Sequence, residues 1–181
     1  MLTCDTASAI LDTTSNTETR TTDQLSAFLE KFAGPRRSKK GKKLLNAPEA
    51  KGSPHTLVVA GGGLRAADLT RALRKFQTKE CMVAKLFAKH IKIKEAIETV
   101  KKTRIGVGVG TPQRIIDLLE DGALKSGCIE RIVIDASHID VKKRGILDMK
   151  ETQVPLVQLL TRPDLKERFG SGEGKIELLF F

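Results

Sequence analysis

The sequence predicts an α/β protein: an open, mostly parallel sheet with helices on both faces, preceded by an extended N-terminal tail. Three observations carry this. The runs at 56–60, 105–109 and 131–136 are short and almost wholly apolar, as strands covered on both faces are. The stretches between them place apolar residues at helical spacing. Strand and helix signals alternate, which parallel strands require because each crossover must return over a face of the sheet.

Taken in order, residues 1–22 are rich in Thr, Ser and Asp with little apolar periodicity, and are expected to form a flexible or partner-ordered tail. A second unit, 23–54, combines a short helix with a basic linker. In 23–33, Leu25, Phe28, Leu29 and Phe32 recur at helical spacing, with Asp23 as expected N-cap and Gly34-Pro35 as the stop. In 36–43, "RRSKKGKK", six of eight residues are basic: Arg36, Arg37, Lys39, Lys40, Lys42 and Lys43. Such a run is a solvated linker, a nuclear-localisation signal or an RNA-contacting strand.

The third unit, 55–181, is the α/β domain. "TLVVA" (56–60) reads as a strand, followed by Gly61-Gly62-Gly63 and a helix with Leu69, Ala72, Leu73 and Phe76 on one face and Arg71, Arg74 and Lys75 on the other. A second strand is expected at 82–87 and a second helix at 93–102. The strand "IGVGV" (105–109) leads to a helix over 111–122 with Thr111 as N-cap, Pro112 at the first helical position and Gly122 as stop. "RIVIDA" (131–136) is the fourth strand, 145–160 is helical on both sides of Pro155, 162–170 holds a short helix, and "KIELLFF" (175–181) is a last buried strand.

Composition narrows the function. The chain has 181 residues, 40% of them hydrophobic, enough for one core. Its net charge of +10 makes polyanions the natural partners, nucleic acid before membrane. No apolar run is long enough to cross a bilayer, and the N-terminus has no signal-peptide pattern. Cys4, Cys81 and Cys128 have no metal-ligand spacing, so neither zinc nor a disulfide framework is expected, and a reducing compartment fits. With no Trp or Tyr and 7 Phe, base stacking is a poor basis for binding, leaving contacts to the phosphate backbone.

Ligands of an open parallel sheet bind outside the carboxyl ends of its strands. That rule selects four loops: 61–65, 88–92, 110–114 and 135–144. They carry Arg65; Lys89, His90 and Lys92; Thr111 and Arg114; and His138, Lys142, Lys143 and Arg144, so cations from four segments gather on one edge. Each piece has a plainer reading, a tight Gly-rich turn or a solvated helix residue, but together they describe a groove for a phosphate backbone. Enzyme signatures fail. There is no G-x-x-x-x-G-K-[ST] string, and "GVGVG" (106–110) has Thr111 where a dinucleotide fingerprint needs its third glycine. Asp135 and His138 could share a metal or start a catalytic pair, but no third partner stands near in sequence, and His138 reads as a hydrogen-bonded loop residue. No cofactor, metal or small-molecule substrate is expected.

Several strings also line up in order with a known family. "GTPQRIIDLLEDGAL" (110–124) resembles the T-P-G-R motif of DEAD-box RNA helicases and the helix behind it. "RIVIDASH" (131–138) stands in the place of their V-L-D-E-A-D strand, and "TLVVAGGGLRAADL" (56–69) in that of P-T-R-E-L-A. Residues 55 to about 160 thus resemble a first RecA-like helicase domain lacking its P-loop. The blocks "GLRAADLTRALRKFQTK", "VAKLFAKHIKIKEAI", "RIVIDASHIDVKKRGILDMKETQVPL" and "IELLFF" are more specifically similar to the fungal Cms family of small-subunit ribosome-biogenesis proteins, over roughly 12–181, with 1–11 outside the resemblance. The resemblance implies a nucleolar component of the early small-subunit pre-ribosome, partnered by pre-ribosomal or small nucleolar RNA and by other assembly factors. It also implies a pseudo-helicase. Asp135 keeps the magnesium-ordering Asp, but Ala136 replaces the Glu that helps activate water, and a chain of 181 residues is expected to hold one RecA-like domain, not two. Phosphoryl transfer rests on positioning and charge stabilisation, and both would be lacking. Thr111 and Arg114 match RNA-holding residues letter for letter, and Arg65 matches one by position. The alternative is a protein-only scaffold in the same particle, with Phe180 and Phe181 either exposed contacts or ordinary core.

Overall fold

A computed structural model describes residues 7–33, 44–170 and 172–181. The basic stretch holding Arg36, Arg37, Lys39, Lys40, Lys42 and Lys43 lies outside the described residues. The sheet has five parallel strands: β1 Thr56–Val59, β2 Met82–Leu86, β3 Ile105–Gly110, β4 Arg131–Ile134 and β5 Glu177–Phe180, in the order β2-β3-β1-β4-β5. Its helices are α1 Leu25–Phe32, α2 Gly63–Ala72, α3 Ile93–Lys102, α4 Pro112–Asp121, α5 Lys150–Leu160 and the single-turn α6 Pro163–Lys166.

Strand residues alternate between two apolar layers, so the central strands β1, β3 and β4 are buried on both faces, while Lys85 of β2 is exposed. Leu57, Val59, Ile132, Ile134 and Leu178 meet α3, α4, α5 and α6 through Val100, Ile115, Leu159 and Leu165. Val58, Val107, Val109, Val133 and Leu179 meet α1 and α2 through Phe28, Leu29, Ala66 and Leu69. The glycines of "GVGVG" serve this packing: a side chain at Gly106 would collide with Cys81 Sγ, at Gly108 with the Leu86 side chain, and at Gly110 with the Leu86 carbonyl.

The expected elements form with four departures. Asp23 caps nothing: it lies inside a 3₁₀ turn, Thr22–Gln24, and Gln24 occupies the N-cap position of α1. α1 shares a core with the strands, and the Phe28 and Phe181 rings meet edge to face at 5.1 Å. The boundary at residue 54 therefore separates no packing unit. Phe181, at 1% exposure, is core, and Phe180 packs against the other layer, so neither is an exposed contact. Residues 145–149 form a turn in which the Gly145 amide donates to Asp148 Oδ2 at 2.6 Å, and α5 then runs unbroken through Pro155.

The described part of the N-terminal stretch, 7–22, lies against the domain. The Leu178 amide donates to Ala9 O at 2.8 Å and the Leu11 amide to Leu178 O at 2.8 Å, so residues 9–11 run alongside β5 as a short added strand.

Candidate nucleic-acid interface

The register pairs Val59 with Gly110 and with Ile134, and Leu86 with Gly110, so four strands end together on one edge. The chain leaves β1 for α2 on one face, and leaves the neighbouring β3 and β4 for α4 and α5 on the other. Such a reversal opens a crevice beside β1, the usual ligand position in this architecture.

At its centre is an ion pair. Arg65, in the first turn of α2, donates from Nε to Asp135 Oδ2 at 2.8 Å and from Nη2 to Asp135 Oδ1 at 2.9 Å, and its Nη1 donates to Thr22 Oγ1. Two parallel bonds match the planar guanidinium to the carboxylate, which is the strong form of this contact. The Asp135 side chain is 1% exposed and that of Arg65 is 11% exposed. Beside it, Ser137 Oγ donates to Arg20 O at 3.3 Å, so residues 20–22 of the N-terminal segment cross this edge.

That geometry withdraws Arg65 from the expected backbone contacts: its guanidinium points into the domain. It also closes Asp135, both of whose oxygens already hold a cationic fork. A magnesium ion would have to displace the guanidinium, so the residues present do not fit a helicase-type metal–nucleotide group. Asp135 is buried while His138 is exposed, so the two do not form a site together. Among the described residues no cluster of three or more His, Cys, Asp or Glu is placed to hold a metal.

Two further arginines are engaged. Arg114 Nη1 donates to Ile91 O at 3.1 Å, tying the first turn of α4 to the 88–92 loop. Arg144 folds back on Asp140, with Nη2 to Oδ2 at 3.0 Å. Asp140 organises the whole turn, because its Oδ1 also accepts from the amides of Lys142 at 2.8 Å and Arg144 at 2.9 Å. Those bonds, the Arg144 amide first, hold its carboxyl below the ordinary aspartate value.

The remaining cations face outward: Lys89, Lys92, Lys142 and Lys143 are exposed, as are His90 and His138. His90 and Lys143 both have φ of 59°, so each sits at a left-handed turn of its loop. Thr111 is half-buried at the N-cap position of α4, without a side-chain capping bond. The edge is thus a row of exposed lysines from two loops set around a closed Arg65–Asp135 centre. Sequence reasoning missed that closure, because the two partners are 70 residues apart. It also missed Ile139, Val141 and Leu147, exposed apolar residues on the 135–149 loop among its cations. The only available signal was their position beyond a buried strand.

Comparisons with known proteins now bear on this site. The chain is 55% identical to Protein CMS1 of Chaetomium thermophilum over 175 residues, covering 97% of this chain and 68% of that protein. It is 32% identical to Protein cms1 of Schizosaccharomyces pombe over 170 residues, covering 94% and 58% respectively. It is also 32% identical to human Protein CMSS1 over 139 residues, covering 77% of this chain and 48% of that one, so it spans about half to two thirds of these relatives. Among solved structures it is similar to a Saccharomyces cerevisiae Dbp5 complex with Nup159, Gle1, IP6 and ADP, at TM-score 0.49 and 17% identity, covering 74% of this chain and 31% of that one. It is likewise similar to a DEAD box protein of Methanococcus jannaschii, at TM-score 0.49 and 16% identity, covering 80% and 37%. Residues 4–181 match the sequence profile of a family described as "CMS1: U3-containing 90S pre-ribosomal complex subunit". The chain belongs to the CMS1 family.

Proposed function

We propose that this protein is a non-catalytic assembly factor of the early small-subunit pre-ribosome, acting in the nucleolus and holding pre-ribosomal RNA by its phosphate backbone. The observation that carries the reading is the gathering of Lys89, Lys92, Lys142 and Lys143 from two separate loops onto one sheet edge. Phosphate contacts of this kind fix position without reading sequence, which suits an edge that offers ammonium groups and, among the described residues, no exposed Phe. The sequence adds the basic run 36–43, a second cationic segment for RNA or for nuclear import. The family's description as a 90S pre-ribosomal subunit supports the setting.

A pseudo-helicase reading has independent support from the site. ATP hydrolysis needs a carboxylate free to order magnesium and a base for water. Here Asp135 holds Arg65, Ala136 has no proton-accepting group, and no P-loop string occurs in these residues.

The test is binding to a single-stranded oligoribonucleotide of pre-ribosomal sequence across a salt series, for the native chain and for Lys142→Glu/Lys143→Glu. Each phosphate contact contributes roughly 0.7 to the log–log salt slope, so the double variant should bind more weakly and lose about 1.4 units of slope. Equal affinity and slope in both proteins would refute the edge as the RNA site. The same pair is preferable to one including Arg114, whose bond to Ile91 would make any loss ambiguous. Ultraviolet crosslinking in cells should recover pre-ribosomal RNA on peptides from 88–92, 110–114 or 138–144.

A second reading, a protein-only scaffold in the same particle, is favoured by Ile139, Val141 and Leu147, which stand exposed on the same loop. Crosslinks to proteins alone, with particle association lost in Val141→Asp and RNA affinity retained, would select it.

A further inference from the structure

The two lateral edges of the sheet are treated differently. Beyond β5, the chain's own residues 9–11 add to the sheet by backbone hydrogen bonds. Beyond β2, at the other end of the strand order, no described residue pairs. The Met82 amide donates to Arg104 O at 3.0 Å and Leu86 O accepts from the Thr111 amide at 3.2 Å. With that alternation, the N–H and C=O groups of Val83 and Lys85 turn outward.

This edge is recessed. Thr70, Arg74 and Gln77, from α2 and the turn after it, form one wall, while Ala96, Thr99 and Val100 of α3 form the other. They enclose a cavity of about 430 Å³ floored by Met82–Lys85. A second hollow of about 290 Å³ shares Thr70, Arg74, Lys85 and Ile91 with it and extends the groove to Lys89. Its depth is apolar, from Val83, Ala84, Ala96 and Val100, and Arg74, Lys85 and Lys89 stand along it against one carboxylate, Glu95.

We infer that this groove docks an extended, acidic segment of a partner protein, which adds to β2 as a further strand. A peptide backbone supplies donors and acceptors at the strand repeat and can pair with Val83 and Lys85, and short apolar side chains on alternate positions fill the depth. Carboxylates on the intervening positions meet Arg74, Lys85 and Lys89. Nucleic acid matches the charge but has no ladder for the floor, and Phe87, the phenyl ring along the groove, is buried rather than offered for stacking. A second copy of this chain is the wrong occupant because edge-to-edge pairing would bring together two edges of like sign, each carrying Arg74, Lys85 and Lys89. Lys85, with the register shift at Met82/Val83, is the usual guard of an edge strand against self-pairing. The chain's own run 36–43 carries the wrong sign. The inference shares Lys89 with the RNA reading but does not rest on it, since the floor and the other cations, Arg74 and Lys85, lie along β2 and not at the carboxyl edge of the strands.

The experiment is selection of a displayed dodecapeptide library on the full chain, followed by synthesis of the winners and hydrogen exchange on the complex. The expected winners are acidic, alternate with apolar residues and lack proline. They should slow exchange of the Val83 and Lys85 amides and bind Arg74→Glu/Lys85→Glu at least about tenfold more weakly. N-methylation of alternate peptide amides should abolish binding. Basic or proline-rich winners, no winners, protection elsewhere, or indifference to N-methylation would each overturn the inference. So would an oligouridylate that protects the same amides and displaces the peptide, which would make the groove a nucleic-acid site.

Discussion

Replacing Arg65 by Ala tests the centre of the site. The substitution leaves the Asp135 carboxylate at 1% exposure without the guanidinium that holds both its oxygens. Removing one member of a buried pair costs about 3–5 kcal/mol, because the other charge stays desolvated and uncompensated. For a domain of this size each kcal/mol moves the melting point by about 2–4 °C, so the variant should melt roughly 6–20 °C below the native chain. With no Trp or Tyr in the sequence, far-ultraviolet circular dichroism in urea and on heating is the practical assay. Arg65→Ala/Asp135→Ala removes both charges together and should be clearly less unstable than the sum of the single variants, with a coupling of about 1–3 kcal/mol in the double-mutant cycle. Arg65→Lys should fall between, since an ammonium cannot make the two parallel bonds. A loss below about 0.5 kcal/mol for Arg65→Ala, or additive single variants, would mean the pair behaves as a solvated surface contact. It would also reopen Asp135 to a metal ion.

Other outcomes follow from single residues. Gly110→Ala would push a methyl group into the Leu86 carbonyl within the β2–β3 ladder, and should cost about 3 kcal/mol or more by urea titration, whereas Gly122→Ala, in open space at φ 80°, should cost only about 1 kcal/mol. A native-like Gly110→Ala would refute the packing account of "GVGVG". Asp140 titrates below its ordinary value of 3.8, so its hold on the 140–144 turn is complete above that pH and lost as the pH falls through its lower folded value. Protection of the Lys142 and Arg144 amides, relative to their intrinsic exchange rates, should fall in that acid range and already be low at neutral pH in Asp140→Ala, and unchanged protection in the variant would refute the turn. Burial pushes the Cys81 thiol up, so iodoacetamide at neutral pH should modify Cys81 more slowly than the half-buried Cys128, and equal rates would contradict the placement. Val141, at 100% exposure, should accept Ser within about 0.5 kcal/mol, so any loss of particle association in that variant reports a lost contact and not a lost fold.

Local patterns made much of the fold legible. The helix over 93–102 falls where its apolar spacing places it, and Thr111, Pro112 and Gly122 punctuate α4 as their backbone preferences require. Asp23 misleads because the preceding residues already turn as a 3₁₀ segment, which moves the start of α1 to a residue with no capping oxygen bond. Phe180 and Phe181 could be read as exposed or buried because a chain-terminal apolar run carries no periodicity that names its partner. The burial of Phe181 depends on α1, whose Phe28 it meets across most of the sequence, and Phe180 packs on the opposite layer.

What the sequence by itself determined is the sheet type, the loops that share its carboxyl edge and the sign of the charge they carry. Covalent order suffices for these: parallel strands bring their carboxyl ends together whatever the side chains do. Which of the cations remain available was decided only by tertiary structure. Arg65 turns inward onto Asp135, Arg114 reaches Ile91, and Arg144 folds onto Asp140, while Lys89, Lys92, Lys142 and Lys143 stay in solvent. The physical reason is that a carboxylate or carbonyl held against the domain takes whatever donor the packing brings within reach, most stringently at buried Asp135, and a guanidinium with five donors meets that demand where a strongly hydrated ammonium remains outside.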